Sequence, residues 1–110
     1  MKQCEIWYAG LNPTKGSEQA GLQPVVILSG NLLNHHVSIV IVAPLTTKLK
    51  RYKGNPILIP DKTNGLTEES EMLMFHVRSI SKERLIRKIG SVKKNEITVA
   101  IKTLNDILKY

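Results

Sequence analysis

The sequence predicts a mainly β fold, a small barrel or strongly curved sheet, with one helix at its C-terminal end. Three observations carry this expectation. Up to about residue 92 the chain consists of short apolar runs rich in Val and Ile, bounded by Gly, Pro and Asn, which is the pattern of strands. Two of these runs, Val25 to Leu28 and Ile39 to Val42, lack polar alternation, as strands covered on both faces do. From about Lys94 the spacing becomes helical, with Ile97, Ile101, Leu104 and Leu108 at i, i+4, i+7 and i+11, an apolar stripe that should close one side of the sheet.

In chain order, the expected strands are residues 4–10, 24–29, 37–43, 56–59, 72–77 and 86–92. The first places Trp7 and Tyr8 on opposite faces, one toward the core and one toward the surface. The segment "GNLLNHH" between the second and third is a short helix or turn. Pro56 and Pro60 bracket "ILI", and because proline donates no ladder hydrogen bond, that strand belongs at an edge. The Asn64-Gly65 pair in "DKTNGLTEES" is a strong turn signal, so residues 56–59 and 72–77 are expected to be antiparallel neighbours. That segment is also the one negative patch. Glu96 is a weak cap signal for the helix, and Lys109 suits its C-terminal dipole.

At 110 residues the chain fits one domain, 1–110, able to bury a core without staples. Its apolar runs fall far short of the roughly twenty residues that cross a bilayer, and "MKQCEIWYAGLNP" lacks the apolar centre of a secretion signal. A single cysteine, Cys4, makes no internal disulfide and agrees with a reducing compartment. The expected location is the cytoplasm, with no membrane partner.

The net charge is +7, gathered in "TTKLKRYK" and in "SKERLIRKIGSVKK". Such a balance favours polyanionic partners, though a merely solubilising surface has the same composition. No phosphate loop, dinucleotide fingerprint or nucleophile elbow is present. Cys4, His35, His36 and His76 have no metal-ligand spacing, so neither metal nor cofactor is expected, and His35 and His36 read as a solvated loop.

What remains is the stretch after the first strand, "NPTKGSEQAGLQ". Gly16 and Gly21 allow unusual backbone angles, while Asn12, Thr14, Ser17, Glu18 and Gln19 supply donors and acceptors. Lys15 adds a charge suited to phosphate. A connection of this length exceeds what a hairpin requires, and such connections tend to be functional or mobile. It has room to wrap a single strand of nucleic acid.

"CEIWYAGLNPTKGSEQAGLQPVVILSG", then "VIVAPLTTK", then "VRSISKERL" and a terminal helix together resemble the MazF/PemK family of type II toxins over essentially the whole chain. The resemblance implies a small SH3-like barrel of the CcdB/PemK type, a homodimer, and sequence-selective, metal-independent cutting of single-stranded RNA. It also implies an acidic antitoxin whose C-terminal part covers the RNA site. In the family, a ribose 2′-hydroxyl attacks the neighbouring phosphate, with two residues chiefly responsible. One is a threonine at the end of the third strand, matched here by Thr46, with Thr47, Lys48 and Lys50 beside it.

The other is an arginine after the long loop, and its position is Gln23. Glutamine hydrogen-bonds a phosphate but carries no charge and exchanges no proton at useful pH. Loss of one preorganised donor to a developing anion costs about 2.7–4 kcal/mol, so an attenuated or inactive enzyme is expected. Gln23 is either a disarming substitution or a divergence toward binding without cutting. Glu18 matches a family residue that shapes the site; it is a base or a loop cap. Where relatives carry an acidic or Gln-rich segment, this chain has Phe75-His76-Val77-Arg78: Arg78 keeps the basic position, the acid is absent, and His76 is of a residue type suited to acid–base work or serves as a hydrogen-bonding residue on a half-buried strand. Tyr52, among the basic residues, is a stacking candidate. The alternative is a non-catalytic RNA binder or a CcdB-like gyrase poison on the same scaffold; the ending "NDILKY" argues against gyrase.

Overall fold

The computed structural model describes residues 1–11 and 22–109. Among these residues seven strands and two α-helices follow in the order β1 (Glu5–Gly10), β2 (Leu22–Ile27), α1 (Asn31–His36), β3 (Ile39–Thr46), β4 (Ile57–Leu58), β5 (Ser70–Met72), β6 (Arg78–Ser81), β7 (Leu85–Ser91) and α2 (Lys94–Leu108). The strands form one antiparallel, half-barrel sheet in the order β4-β5-β3-β2-β1-β7, with β6 also paired to β3. Register shifts between β1 and β7 at Ile6/Trp7 and Tyr8/Ala9 are bulges that bend and twist that end of the sheet.

Each face carries its own apolar cluster. Ile6, Val26, Leu28, Leu45, Met72 and Ile97 belong to the cluster under α2; Ala9, Leu11, Val25, Ile27, Val40 and Ile80 belong to the other, against which Trp7 packs. Thus β2 is buried on both sides, as its unbroken apolar run requires. In β3, Val40 and Val42 are buried, while Ile39 is 39% exposed.

Four expectations need correction. The second strand starts at Leu22, ahead of Pro24, so Gln23 is a strand residue. This is possible because the ladder to β3 begins at Val25, so that the proline lies where β2 has only β1 beside it. The third strand runs on through Pro44 to Thr46. The expected strand 72–77 ends at Met72; Met74–His76 is a 3₁₀ turn, and the chain re-enters the sheet as β6. The helical stripe is also rotated: Ile97, Ala100 and Thr103 are buried, whereas Ile101 and Leu108 are exposed.

The edge position of β4 and its antiparallel pairing to β5, Ile57 with Glu71 and Leu58 with Ser70, match the reading of the prolines. Gly65 has φ +66°, and a Cβ there would lie 2.5 Å from the Ile89 carbonyl oxygen, so the Asn-Gly pair serves a turn pressed against β7. At the start of α2, the Glu96 carboxylate accepts from the Lys93 N–H at 2.8 Å, half of a capping box. No helix among the described residues is long and apolar enough to cross a membrane.

Candidate functional site

The site forms where β3 changes partner. Residues Ile39 to Val42 pair with β6, ending at Val42 opposite Arg78, and Leu45 and Thr46 pair with β5. Pro44 stands between the two pairings. Its carbonyl accepts from the Leu73 N–H at 2.9 Å, which anchors the start of the segment leading into the 3₁₀ turn. The sheet therefore opens at Pro44, and the turn carries His76 to the edge of the gap.

The result is an open pocket of about 310 Å³ lined by Leu11, Gln23, Pro44, Leu73, His76 and Arg78. Strand alternation places Gln23 and Pro44 on the face opposite α2, with Val25 and Val42. The β2–β3 register, Val25 with Pro44, extended by two residues, sets Gln23 across from Thr46. The half-buried Gln23 side chain agrees, since its Nε2 donates to the Leu45 carbonyl at 3.2 Å. Thr46 Oγ1 accepts from the Lys48 N–H at 3.1 Å, which turns the chain out of the strand.

The fold thus brings Gln23, His76 and Arg78 to one pocket, with Thr46 next to it on the extended β2–β3 register. His76 sits exposed in the turn, not half-buried on a strand. Thr47 faces a second pocket of about 230 Å³ with Tyr8 and Pro24, on the α2 side of the sheet, and is separated from the Gln23 pocket by the sheet itself. Arg87 lies over the Tyr8 ring, 4.8 Å from its centroid. Lys48 and Lys50 are exposed on the loop after β3. Asn12, Thr14, Lys15, Gly16, Ser17, Glu18 and Gln19 lie outside the described residues.

Two contributors were not legible in the sequence. Arg84 Nη1 donates to the Gly10 carbonyl at 2.9 Å, fixing the end of β1 where Gly10 pairs with Leu22. Glu71, opposite Thr46 in the ladder, is fully buried. Its carboxylate accepts from the N–H groups of Lys50 (2.6 Å), Arg51 (2.7 Å) and Tyr52 (3.1 Å) and from Asn55 Nδ2 (2.8 Å). Three successive N–H groups converging on one anion form a concave nest, with Arg51 at φ 55°. Burial pushes the carboxyl pKa up, but the hydrogen bonds from Asn55, Arg51, Lys50 and Tyr52 outweigh it and hold the group below the ordinary Glu range. A lone Glu in an acidic run gives no sign of this; only the cation-rich loop preceding it hints at an internal counter-charge.

Among the described residues, no ion pair involves Lys48, Lys50, Arg51, Lys53 or Arg78. These cationic side chains are exposed, those of the loop above the buried Glu71, and a surface that presents them to solvent suits a polyanion.

The family model described as PemK-like, MazF-like toxin of type II toxin-antitoxin system matches residues 2–108. Endoribonuclease EndoA of Bacillus subtilis is 32% identical over 90 residues, covering 81% of this chain and 78% of the relative. Endoribonuclease MazF9 of Mycobacterium tuberculosis is 30% identical over 102 residues, covering 88% and 86%. Among solved structures, a MazE–MazF complex from Deinococcus radiodurans superposes with a TM-score of 0.81 at 21% identity, covering 98% of this chain and 95% of that one, which shows a shared fold. The chain belongs to the PemK-like, MazF-like toxins of type II toxin–antitoxin systems.

Proposed function

We propose that this toxin engages single-stranded RNA across the Gln23–Thr46–Arg78 pocket and cuts it by attack of a ribose 2′-hydroxyl on the adjacent phosphate, at a rate attenuated by Gln23. The observation that carries this is the opening of the sheet at Pro44. An amide and a guanidinium line that gap, the extended register puts the Thr46 hydroxyl next to it, and exposed cations follow on the loop after β3; together these support the reading. Its relatives are named endoribonucleases.

The nucleophile belongs to the substrate, so the protein must orient it, take its proton, stabilise the added charge on phosphorus and protonate the leaving 5′-oxygen. Products are a 2′,3′-cyclic phosphate and a 5′-hydroxyl, and no step calls for a metal. Thr46 Oγ1 accepts from Lys48 N–H and keeps its own proton to donate to a phosphate oxygen. Arg78 supplies charge from the other wall. Gln23 binds without exchanging a proton. Glu18, Asn12, Thr14, Lys15, Gly16, Ser17 and Gln19 would complete the grip, with Lys48, Lys50 and His76 along the strand's path, while Thr47, on the other face of the sheet, takes no part in this pocket. A homodimer in the cytoplasm, neutralised by an acidic antitoxin, completes the proposal. MazF toxins are solved with MazE, and a mycobacterial endoribonuclease is solved with its cognate antitoxin.

A second reading, an RNA binder that does not cut, is favoured by Gln23 itself, whose Nε2 is already engaged by the Leu45 carbonyl. Gln23→Arg separates the two. In chelator, the variant is expected to cut mixed-sequence RNA at least about a hundredfold faster than the parent, and adding Thr46→Ala is expected to remove most of that gain. A folded Gln23→Arg protein that binds RNA and leaves it whole establishes the binder instead.

A further inference from the structure

The chain has a single phenylalanine, and the fold leaves it 62% exposed at Phe75. Tyr52, 49% exposed, meets it edge to face with ring centroids 5.7 Å apart. Isolated exposed aromatics are ordinary. Here two of them touch, one in the loop that holds Lys48, Lys50, Arg51 and Lys53, the other next to His76. Each is one step from the site: Phe75 shares a turn with His76, and Tyr52 donates its N–H to Glu71, which stands opposite Thr46.

We propose that Tyr52 and Phe75 form a stacking platform for a nucleobase flanking the cut in bound single-stranded RNA, on a loop that Glu71 holds in place. The inference rests on the RNA reading above and adds a subsite to it. Beside Phe75 lies an open, largely apolar pocket of about 690 Å³, with Val99 and Ile107 among its lining and Lys53 contributing an amine that has no ion pair among the described residues. Asp106, also in the lining, is taken up by Lys102 at 3.1 Å and Lys109 at 3.3 Å. An aromatic surface bordered by cations suits a base with its phosphate, because stacking is tolerant of sequence and the amines track the backbone.

The platform is also ordered in advance, which lowers the cost of binding. Besides the four bonds to Glu71, Asn55 Oδ1 accepts from the Met74 N–H at 3.2 Å, and Thr103 Oγ1 donates to the Gly54 carbonyl at 2.5 Å. The loop is thereby tied to β5, to the 3₁₀ turn and to α2. Among the described residues, the one carboxylate bonded to this loop is Glu71, buried and occupied by backbone N–H groups and the Asn55 amide, so the side chains that an incoming polyanion meets on the loop are the exposed Lys and Arg.

The test is binding of a labelled mixed-sequence RNA decamer to the full chain across a salt series. Phe75→Leu and Tyr52→Leu are each expected to weaken binding by about 5- to 100-fold. The slope of log Kd against log salt should hold, since no cation is lost, whereas Lys50→Ala should lower the slope by about 0.7. Removing bases one at a time from the decamer should reveal a position that matters to the parent and not to Phe75→Leu. Firm RNA binding by the parent with both leucine variants equal to it overturns the platform and leaves the reading of the site standing. No RNA binding by the parent overturns both. Unchanged RNA affinity with lost self-association in sedimentation makes the aromatic pair a contact between copies and overturns the platform as well.

Discussion

The connections on either side of β4 are each organised by one buried polar side chain, and the two differ in charge. In the acidic connection, Asn64 Oδ1 accepts from the N–H groups of Asp61 (3.0 Å) and Leu66 (2.9 Å), and its Nδ2 donates to the Ile59 carbonyl (2.9 Å). An amide both donates and accepts, so the loop is stitched to itself. In the basic connection the organiser is Glu71, which can only accept and which lies outside the loop on β5. It draws the backbone N–H groups inward and leaves the Lys and Arg side chains outward. The neutral organiser closes a structural turn that seats against β7; the charged one couples a cationic surface to the strand that faces Thr46.

Glu71→Ala should break this contrast most severely. Four donors lose a charged acceptor, and even with water replacing part of it, a loss of about 3–5 kcal/mol in urea unfolding is expected, with RNA affinity falling too. Asn64→Ala removes neutral hydrogen bonds and should cost about 2–3 kcal/mol, while the folded fraction binds RNA as the parent does. Equal effects of the two substitutions on RNA binding would erase the distinction.

Acid should separate the organisers without altering that contrast by mutation. The Glu71 pKa is lowered in the folded state, so its contribution to stability is fully present above the unfolded value of about 4.3 and is lost as pH falls through the lower folded value. Urea unfolding of the parent and of Glu71→Gln should therefore differ most near neutrality and converge in acid, whereas the difference between parent and Asn64→Ala should not converge through this group. The smallest effect expected is Thr103→Val, about 0.5–1.5 kcal/mol, because water can reach the Gly54 carbonyl once the hydroxyl is gone. Faster amide exchange at residues 53–55 would show that α2 helps to hold the basic loop.

Local chemistry was most legible where it is strongest. Proline placed β4 at an edge, the unbroken run Val25 to Leu28 marked a doubly covered strand whereas Ile39 to Val42 is covered on one face at its start, and "NPTKGSEQAG" with "PLTTK" carried the family. The stripe on α2 was misjudged because periodicity weighs large aliphatics. Ala100 and Thr103 are buried instead, where the helix comes close enough to the loop for Thr103 to bond the Gly54 carbonyl, and Ile101 turns outward. β6 escaped notice because "RSIS" has one apolar residue, Ile80, and becomes a strand only through its pairing with β3.

The site divides in the same way. Gln23, Thr46 and Arg78 could be named from motifs, since the identity of a reactive side chain is written in the sequence. Their convergence could not, because it depends on β3 exchanging one partner strand for another at Pro44, a long-range pairing with no local signature. Glu71 marks the same boundary: its charge is a fact of composition, but its burial and its hold on the basic loop arise only when a strand and a loop 16 to 21 residues apart are brought together by the sheet.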